Sequence, residues 1–332
     1  MKISCVLAFL SLTAAHGIAC DLCGCANVMH PWAPRAGIFA GATEQFTHFG
    51  TLQSDGHEIG NDARQRLDSS ITQIFLGYNL TPTFGVQVNV PFIHRSYRRP
   101  IEAGIESGSV SGLGDMSVLA SYVPIFRDTQ DFTFLARLSA GVKLPTGDPD
   151  RLHEEAEEEA HAEEEAHAEE HEHAEESTAP EFPESGVHGH DLALGSGSVD
   201  PILALSIYTR WQRGYFTADV QYAIRTRGEI GYRYANDLLW SGGPGFYLVA
   251  SDDWKVGIQC VCSGETKGKD RFRGERAEDT AITSVFLGPK IAVSWKERLN
   301  AEVGLDLPVS IDNSALQIVP DYRIRASVSW QF

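Results

Sequence analysis

After residues 3–12 the chain has no apolar run approaching the roughly 20 residues that a membrane-spanning helix requires, which excludes a helical membrane bundle. It has no cluster of Lys and Arg interleaved with aromatics, and its 27 basic residues face 45 acidic ones, so nucleic acid is excluded as a partner. The stretch from Glu154 to Glu176 contains no aromatic and no branched aliphatic residue. Such a segment cannot bury a core of its own, and its composition predicts a disordered loop.

The charge that is present is concentrated. Of the net −18, residues 151–191 carry sixteen acids and one base, a net of −15, which leaves about −3 for everything else. At the other end, "MKISCVLAFLSLTAAHGIAC" has Lys2, an apolar core from Ile3 to Leu12, and small Gly17 and Ala19 ahead of Cys20. This pattern predicts a signal peptide over 1–19 and an exported mature chain. Cys20 also fits lipidation, although Gly17 stands where lipidated cysteines usually have Leu, and Asp21 argues against sorting of a lipoprotein to the outer membrane.

The body reads with a period of two. In "FGVQVNVPFIH" the set Phe84, Val86, Val88, Val90, Phe92 alternates with Gly85, Gln87, Asn89 and Pro91. Near the end Tyr322, Ile324, Ala326, Val328, Trp330 and Phe332 alternate with Arg323, Arg325, Ser327, Ser329 and Gln331. Twelve strands are expected, near 37–50, 68–79, 84–96, 112–123, 132–145, 199–210, 215–226, 237–250, 254–263, 281–295, 300–310 and 321–332. Their connectors alternate between long (51–67, 97–111, 146–198, 227–236, 264–280, 311–320) and short. An even number of antiparallel strands, with short turns at one rim and long loops at the other, specifies an all-β transmembrane antiparallel barrel of the outer-membrane type. Aromatics near strand ends (Tyr78, Tyr122, Trp211, Trp254, Trp295, Trp330) supply an interfacial girdle, and the terminal Phe332 suits the barrel-assembly machinery. Pro91, Pro244, Pro289 and Pro308 imply bulges or rims. The expected organisation is a periplasmic Cys-rich segment over 20–36, then a barrel over 37–332 with a Glu/His-rich extracellular loop at 150–195. The expected location is the outer membrane of a Gram-negative bacterium.

Three segments, "GLGDMSVLASYV" (112–123), "GVKLPTGDP" (141–149) and "GSGSVDPILALSIY" (195–208), resemble the MetA-pathway of phenol degradation family of outer-membrane barrels. The resemblance implies a barrel and passage of small, sometimes aromatic, molecules, and it supplies no catalytic residues. The Glu/His insertion after "LPTGDP" departs from the family pattern.

By parity, Arg137, Lys143, Arg225, Lys255, Lys290, Arg323 and Arg325 face the lumen with Asp115, Asp219, Glu302 and Asp306. Charges inside a closed barrel must be paired or wet, so these read as a salt-bridge network filling the lumen or as a pore with mild anion preference. Two candidate metal sites stand apart from the lumen. Cys20, Cys23, Cys25 and His30 could close a tetrahedral site, or pair as a disulfide. In the acidic loop His153, His161, His167, His171 and His173, extended by His188 and His190, combine imidazole with carboxylate, a donor set for Zn, Cu, Ni or Co rather than Mg or Ca. Cys260 and Cys262 share the lipid-facing parity. The expected function is a porin-like passive transporter with a metal-binding surface loop, no enzymatic activity and no required cofactor; its partners are outer-membrane lipids, the barrel-assembly machinery and metal ions. The alternatives are an uptake channel for small aromatic or hydrophobic compounds, and a phospholipase-like acyl hydrolase built on His94 and Ser96.

Overall fold

A computed structural model describes residues 34–101, 104–154 and 184–332. Seventeen strands occur among the described residues, numbered along the chain. Twelve are long: β1 (Gly37–Ser54), β3 (Arg66–Thr81), β4 (Phe84–Ile101), β6 (Ser117–Asp128), β7 (Phe132–Lys143), β8 (Asp200–Trp211), β9 (Gly214–Ala223), β11 (Asp237–Ala250), β12 (Trp254–Lys267), β15 (Ile282–Trp295), β16 (Leu299–Asn313) and β17 (Leu316–Gln331). Each pairs antiparallel with the next, and β17 pairs with β1, with Ala40 opposite Trp330 and Thr47 opposite Arg323. Closure removes both sheet edges, the only way a sheet can satisfy its backbone inside hydrocarbon.

The alternation runs opposite to that of a water-soluble sheet. On β4, Phe84, Val86, Val88 and Phe92 point out and are exposed, while Gln87, Asn89 and Arg95 point in and are buried. A soluble sandwich would bury the apolar set, so the medium around this barrel is hydrocarbon. The outward apolar set from Phe84 to Phe92 covers nine residues, matching the 9–11 that a tilted strand needs to cross. At the rim of short turns Tyr78, Tyr122, Trp211 and Trp254 are exposed, and Trp254, Trp295 and Trp330 form a continuous row with centroid spacings of 6.2 and 6.0 Å. Amphipathic rings at one level mark a membrane interface.

Several boundaries differ from the sequence reading. Residues 97–111 are not a loop: β4 runs on to Ile101, and β5 (Gly104–Leu113) pairs back on it from Phe92↔Leu113 to Ile101↔Gly104. Strand β6 therefore begins at Ser117 rather than 112. The connector expected at 311–320 is a turn at 314–315, with Ala315 at φ 50°, between β16 and β17. These extensions lie beyond the lipid band, where no apolar face is required and the strand pattern fades. Smaller additions are β2 (His57–Ile59) beside β1, and a sheet of β10 (Tyr232–Arg233), β13 (Arg271–Phe272) and β14 (Glu275–Arg276) in the outer loops.

The margins of the 150–195 loop are a further correction. Leu152, Val187, Leu192 and Ala193 are fully buried. Val187 and Leu192 pack with Leu67, Tyr97 and Ile318 from β3, β4 and β17, whereas Leu152 and Ala193 pack with Tyr232, Tyr234 and Phe272 from the loops on the far side. The two limbs thus cross the outer mouth. Burial of each leucine or valine contributes about 2 kcal/mol, which explains why these limbs fold.

Candidate functional site

The barrel wall presents alternate residues inward, and on β12 and β15 to β17 these include most of the lumen's charge. Lys290 lies 3.3 Å from Glu302, and Arg325 lies 2.8 Å from Asp306. Arg323 pairs with Glu265 and lies over the Phe286 ring at 4.5 Å. Lys255 reaches Glu297 of a short turn at 3.0 Å. Arg137 on β7 and Asp219 on β9 also face inward, and Asp219 lines the lumen. Paired charges in a narrow tube offer little net field, so this wall is polar without strong preference for one sign of ion.

The adjoining wall, continuous with the charged one across the β11–β12 pairing, is aromatic. Tyr208, Tyr215 and Tyr247 project inward from β8, β9 and β11; Tyr215 and Tyr247 have centroids 4.6 Å apart, and the Tyr208 and Tyr247 hydroxyls are 2.9 Å apart. Tyr215 lies flat because its strand neighbour is glycine: a Cβ on Gly245 would stand 2.2 Å from the ring. Between the walls is a cavity of about 290 Å³, large enough for a small organic molecule, also lined by Gln73, Gln221 and Gln259. Both polar atoms of the Gln73 amide, and the carbonyl oxygens of Gln221 and Gln259, have no protein partner within this lining.

The outer end is closed by polar packing. Asp200 is fully buried between Lys143 and Arg225, each at 2.9 Å, and Arg225 also binds Asp237 at 2.5 Å. Lys143 meets Asp115 at 2.7 Å, and Asp115 accepts from the backbone N–H groups of Gly147 and Ser196. Thr146 donates to the Gly114 carbonyl and accepts from the Met116 N–H. The segments 112–123, 141–149 and 195–208, far apart in sequence, therefore meet in one cluster at this closure. Arg95, buried on β4, donates to the carbonyls of Asp191 and Ala193 at 2.6 and 2.8 Å and ties the second limb to the wall.

Of the eleven sequence-predicted lumen residues, Lys255, Lys290, Arg323, Arg325, Asp219, Glu302 and Asp306 line the cavity, while Asp115, Lys143 and Arg225 sit above it in the closure, and Arg137 faces the lumen from β7. Sequence reasoning missed Glu265, Asp200, Asp237 and the three tyrosines. Glu265 lies two residues past the expected end of its strand, in the alternation Gln259, Val261, Ser263, Glu265 that could have revealed it.

The metal candidates are not gathered. Cys20, Cys23, Cys25, His30, His161, His167, His171 and His173 lie outside the described residues. Among the described residues no three His, Cys, Asp or Glu side chains form a metal-binding group. His153 stands at the edge of the first limb, and His188 and His190 stack with rings 5.5 Å apart on the second, beside Asp279 and Asp191. His94 and Ser96 both face outward, but His94 bonds Ser111 at 2.6 Å and Ser96 lies 3.5 Å from Asp68. The hydrogen bonds of this region therefore do not join a serine nucleophile to a base held by a carboxylate.

No family model matches the chain, and no curated protein sequence matches it. Solved structures do match. An outer-membrane channel from Pseudomonas putida is 12% identical over 90% of this chain and 96% of that one, with a TM-score of 0.56. The β domain of the Bordetella autotransporter BrkA is 12% identical over 90% and 100%, with a TM-score of 0.42. A Pseudomonas aeruginosa FadL homologue is 10% identical over 89% and 90%, with a TM-score of 0.35. The first has the fold described here. With the apolar exterior and aromatic girdle, it makes the chain an outer-membrane barrel of the Gram-negative cell envelope.

Proposed function

We propose that this barrel is a passive channel for small polar and aromatic solutes, opened by displacement of the packed limbs at its outer mouth. One observation carries the reading: the lumen holds a cavity of about 290 Å³ between a tyrosine wall and a wall of paired charges, where a structural barrel would be filled. Tyrosine faces stack on planar or ring compounds, and paired charges with buried amides offer hydrogen bonds without trapping an ion. This is also where the likeness to the phenol-degradation barrels belongs, since its three segments build the closure above the cavity.

Solute flux is the direct test. Proteoliposomes containing the full chain should release small neutral and aromatic solutes and show low conductance in planar bilayers, and Asp200→Asn should raise both by loosening the closure. Absence of flux from both the wild type and this variant would overturn the proposal.

The metal-binding role of the Glu/His insertion is part of the same proposal. Its glutamates concentrate cations, and its imidazoles select borderline ions such as Zn, Ni, Co or Cu. The described residues on either side of the insertion, Leu152 and Val187, are buried at the mouth, which supports a role for collected ions at the lumen entrance. Calorimetry on the full chain, with Zn against Mg, tests this: equal responses, or no change when the seven histidines of the loop become Gln, would leave only an acidic screen.

A further inference from the structure

The outer surface of the barrel changes character above Phe92. On β3 the outward residues pass from Tyr78, Leu76 and Ile74 to Thr72, Ser70, Asp68 and Arg66; on β4 they pass from Phe92 to His94, Ser96 and Arg98. Arg66 and Arg98 are directly opposite each other in the β3–β4 register. Arg66 is exposed and Arg98 half-buried, and like charges facing across two strands are destabilising unless an anion meets them. Here none is engaged. Among the described residues neither arginine forms an ion pair, and Arg98 Nε donates to the Ala63 carbonyl at 3.1 Å.

The outward carboxylate two residues away, Asp68, is committed elsewhere. It binds His48 at 2.6 Å and lies 3.5 Å from the Ser96 hydroxyl. Beside the arginines β5 adds an exposed row of hydroxyls: Ser107 opposite Arg98, Ser109 opposite Ser96 and Ser111 opposite His94. A third arginine, Arg64, is exposed two residues before Arg66. The position along the strand fixes what can meet this patch. Arg98 is six residues beyond Phe92, about 20 Å along the strand and about 14 Å above the hydrocarbon edge at the usual tilt. That is the sugar and phosphate layer of the outer leaflet.

We propose that Arg66 and Arg98 form a clamp for a phosphate of an outer-leaflet glycolipid, with the serine row of β5 binding its sugar hydroxyls. Two guanidinium forks converging on one anion turn a repulsive pair into charge-assisted hydrogen bonds, and hydroxyls at the same level suit the sugar that carries the phosphate.

The test uses the full-length protein in detergent, with native mass spectrometry across a titration of phosphorylated lipid A bearing its inner-core sugars, the same glycolipid after phosphatase treatment, and inorganic phosphate as competitor. The expected result is that Arg66→Gln/Arg98→Gln weakens binding of the phosphorylated form at least tenfold, that the dephosphorylated form binds the wild type no better than the double variant, and that Arg276→Gln, an exposed arginine of the outer loops, changes nothing. A second readout guards against misfolding. In lipid-free detergent Arg66→Gln alone should raise the temperature of heat modification, because it relieves repulsion, and the order should reverse with the phosphorylated glycolipid present. Wild-type binding by the double variant, equal binding of the dephosphorylated form, or complete displacement by millimolar inorganic phosphate would each overturn the assignment.

Discussion

At the scale of single residues the closure depends on Asp200. Its carboxylate has no solvent exposure and lies between Lys143 and Arg225, with hydrogen bonds from Ser198 and the Thr226 N–H as well. Asp200→Asn preserves the shape but removes the charge that bridges Lys143 and Arg225, which keep Asp115 and Asp237 as partners, so the loss is that of a buried charge-assisted bridge, about 1.5–3 kcal/mol. Heat-modification gels should show the variant unfolding at a lower temperature than the wild type, whereas Asp312→Asn, an exposed carboxylate at the outer end of β16, should not differ. Gly245 is a second sensitive position. Valine there would meet the Tyr215 ring at 2.2 Å and force it out of the tyrosine wall, so Gly245→Val should assemble poorly or lose aromatic solute flux while retaining flux of small neutral polyols.

At the scale of elements, the β4–β5 hairpin stands above the membrane and is held by a small ionic network. Arg99 binds Glu106 at 2.9 Å and Glu154 at 2.8 Å, and Tyr97 donates to Glu106 at 2.8 Å. Burial pushes the Glu106 carboxyl up, but the hydrogen bonds from Arg99 and Tyr97 outweigh it and hold the carboxyl below the ordinary glutamate range. A depressed folded-state pKa means the stabilisation is complete above the unfolded value and is lost as pH falls through the folded one. Hydrogen exchange across 97–113 should therefore be flat from pH 7 to about 5 after correction for intrinsic rates, and should rise only below about 4, near and under the reference glutamate value. Glu106→Gln should show the raised exchange already at pH 7. The same hairpin marks where the sequence stops being legible. Strands inside the membrane must alternate, so the Phe84 to Phe92 run and the Tyr322 to Trp330 run are readable by eye. The "GIESGSVSGL" strand meets water on its outer face and lipid nowhere, so its serines and glycines read as a loop. Parity likewise exposed Lys290, Glu302 and Arg325, whereas Glu265 sat beyond the boundary assigned to its strand, and Asp200, at the very start of its strand, read as part of the turn before it. The inward tyrosines escaped because a tyrosine near a strand end reads equally as girdle or lumen until register is fixed.

At the scale of the whole molecule, the barrel and the acidic insertion are separable. The barrel closes through β1 and β17, and the limbs on either side of the insertion are anchored by their own buried residues, Leu152 on one side and Val187, Leu192 and Ala193 on the other. Arg95 and Gln65 fix the second limb by hydrogen bonds to the carbonyls of Asp191, Ala193 and Glu184. Replacing 155–183 by a short Gly/Ser linker removes most of the chain's excess negative charge but none of these contacts, and a longer or shorter flexible connection changes closure entropy by only about 0.6 kcal/mol per doubling. The variant should assemble, show the heat-modification temperature of the parent within a few degrees, and keep its resting conductance. What it should lose is the response to added zinc, measured as a change in conductance or in tryptophan fluorescence. A variant that fails to assemble would show that the insertion contributes to folding, and one that keeps the zinc response would move the metal-binding role to other residues, with His188 and His190 on the second limb the first to examine.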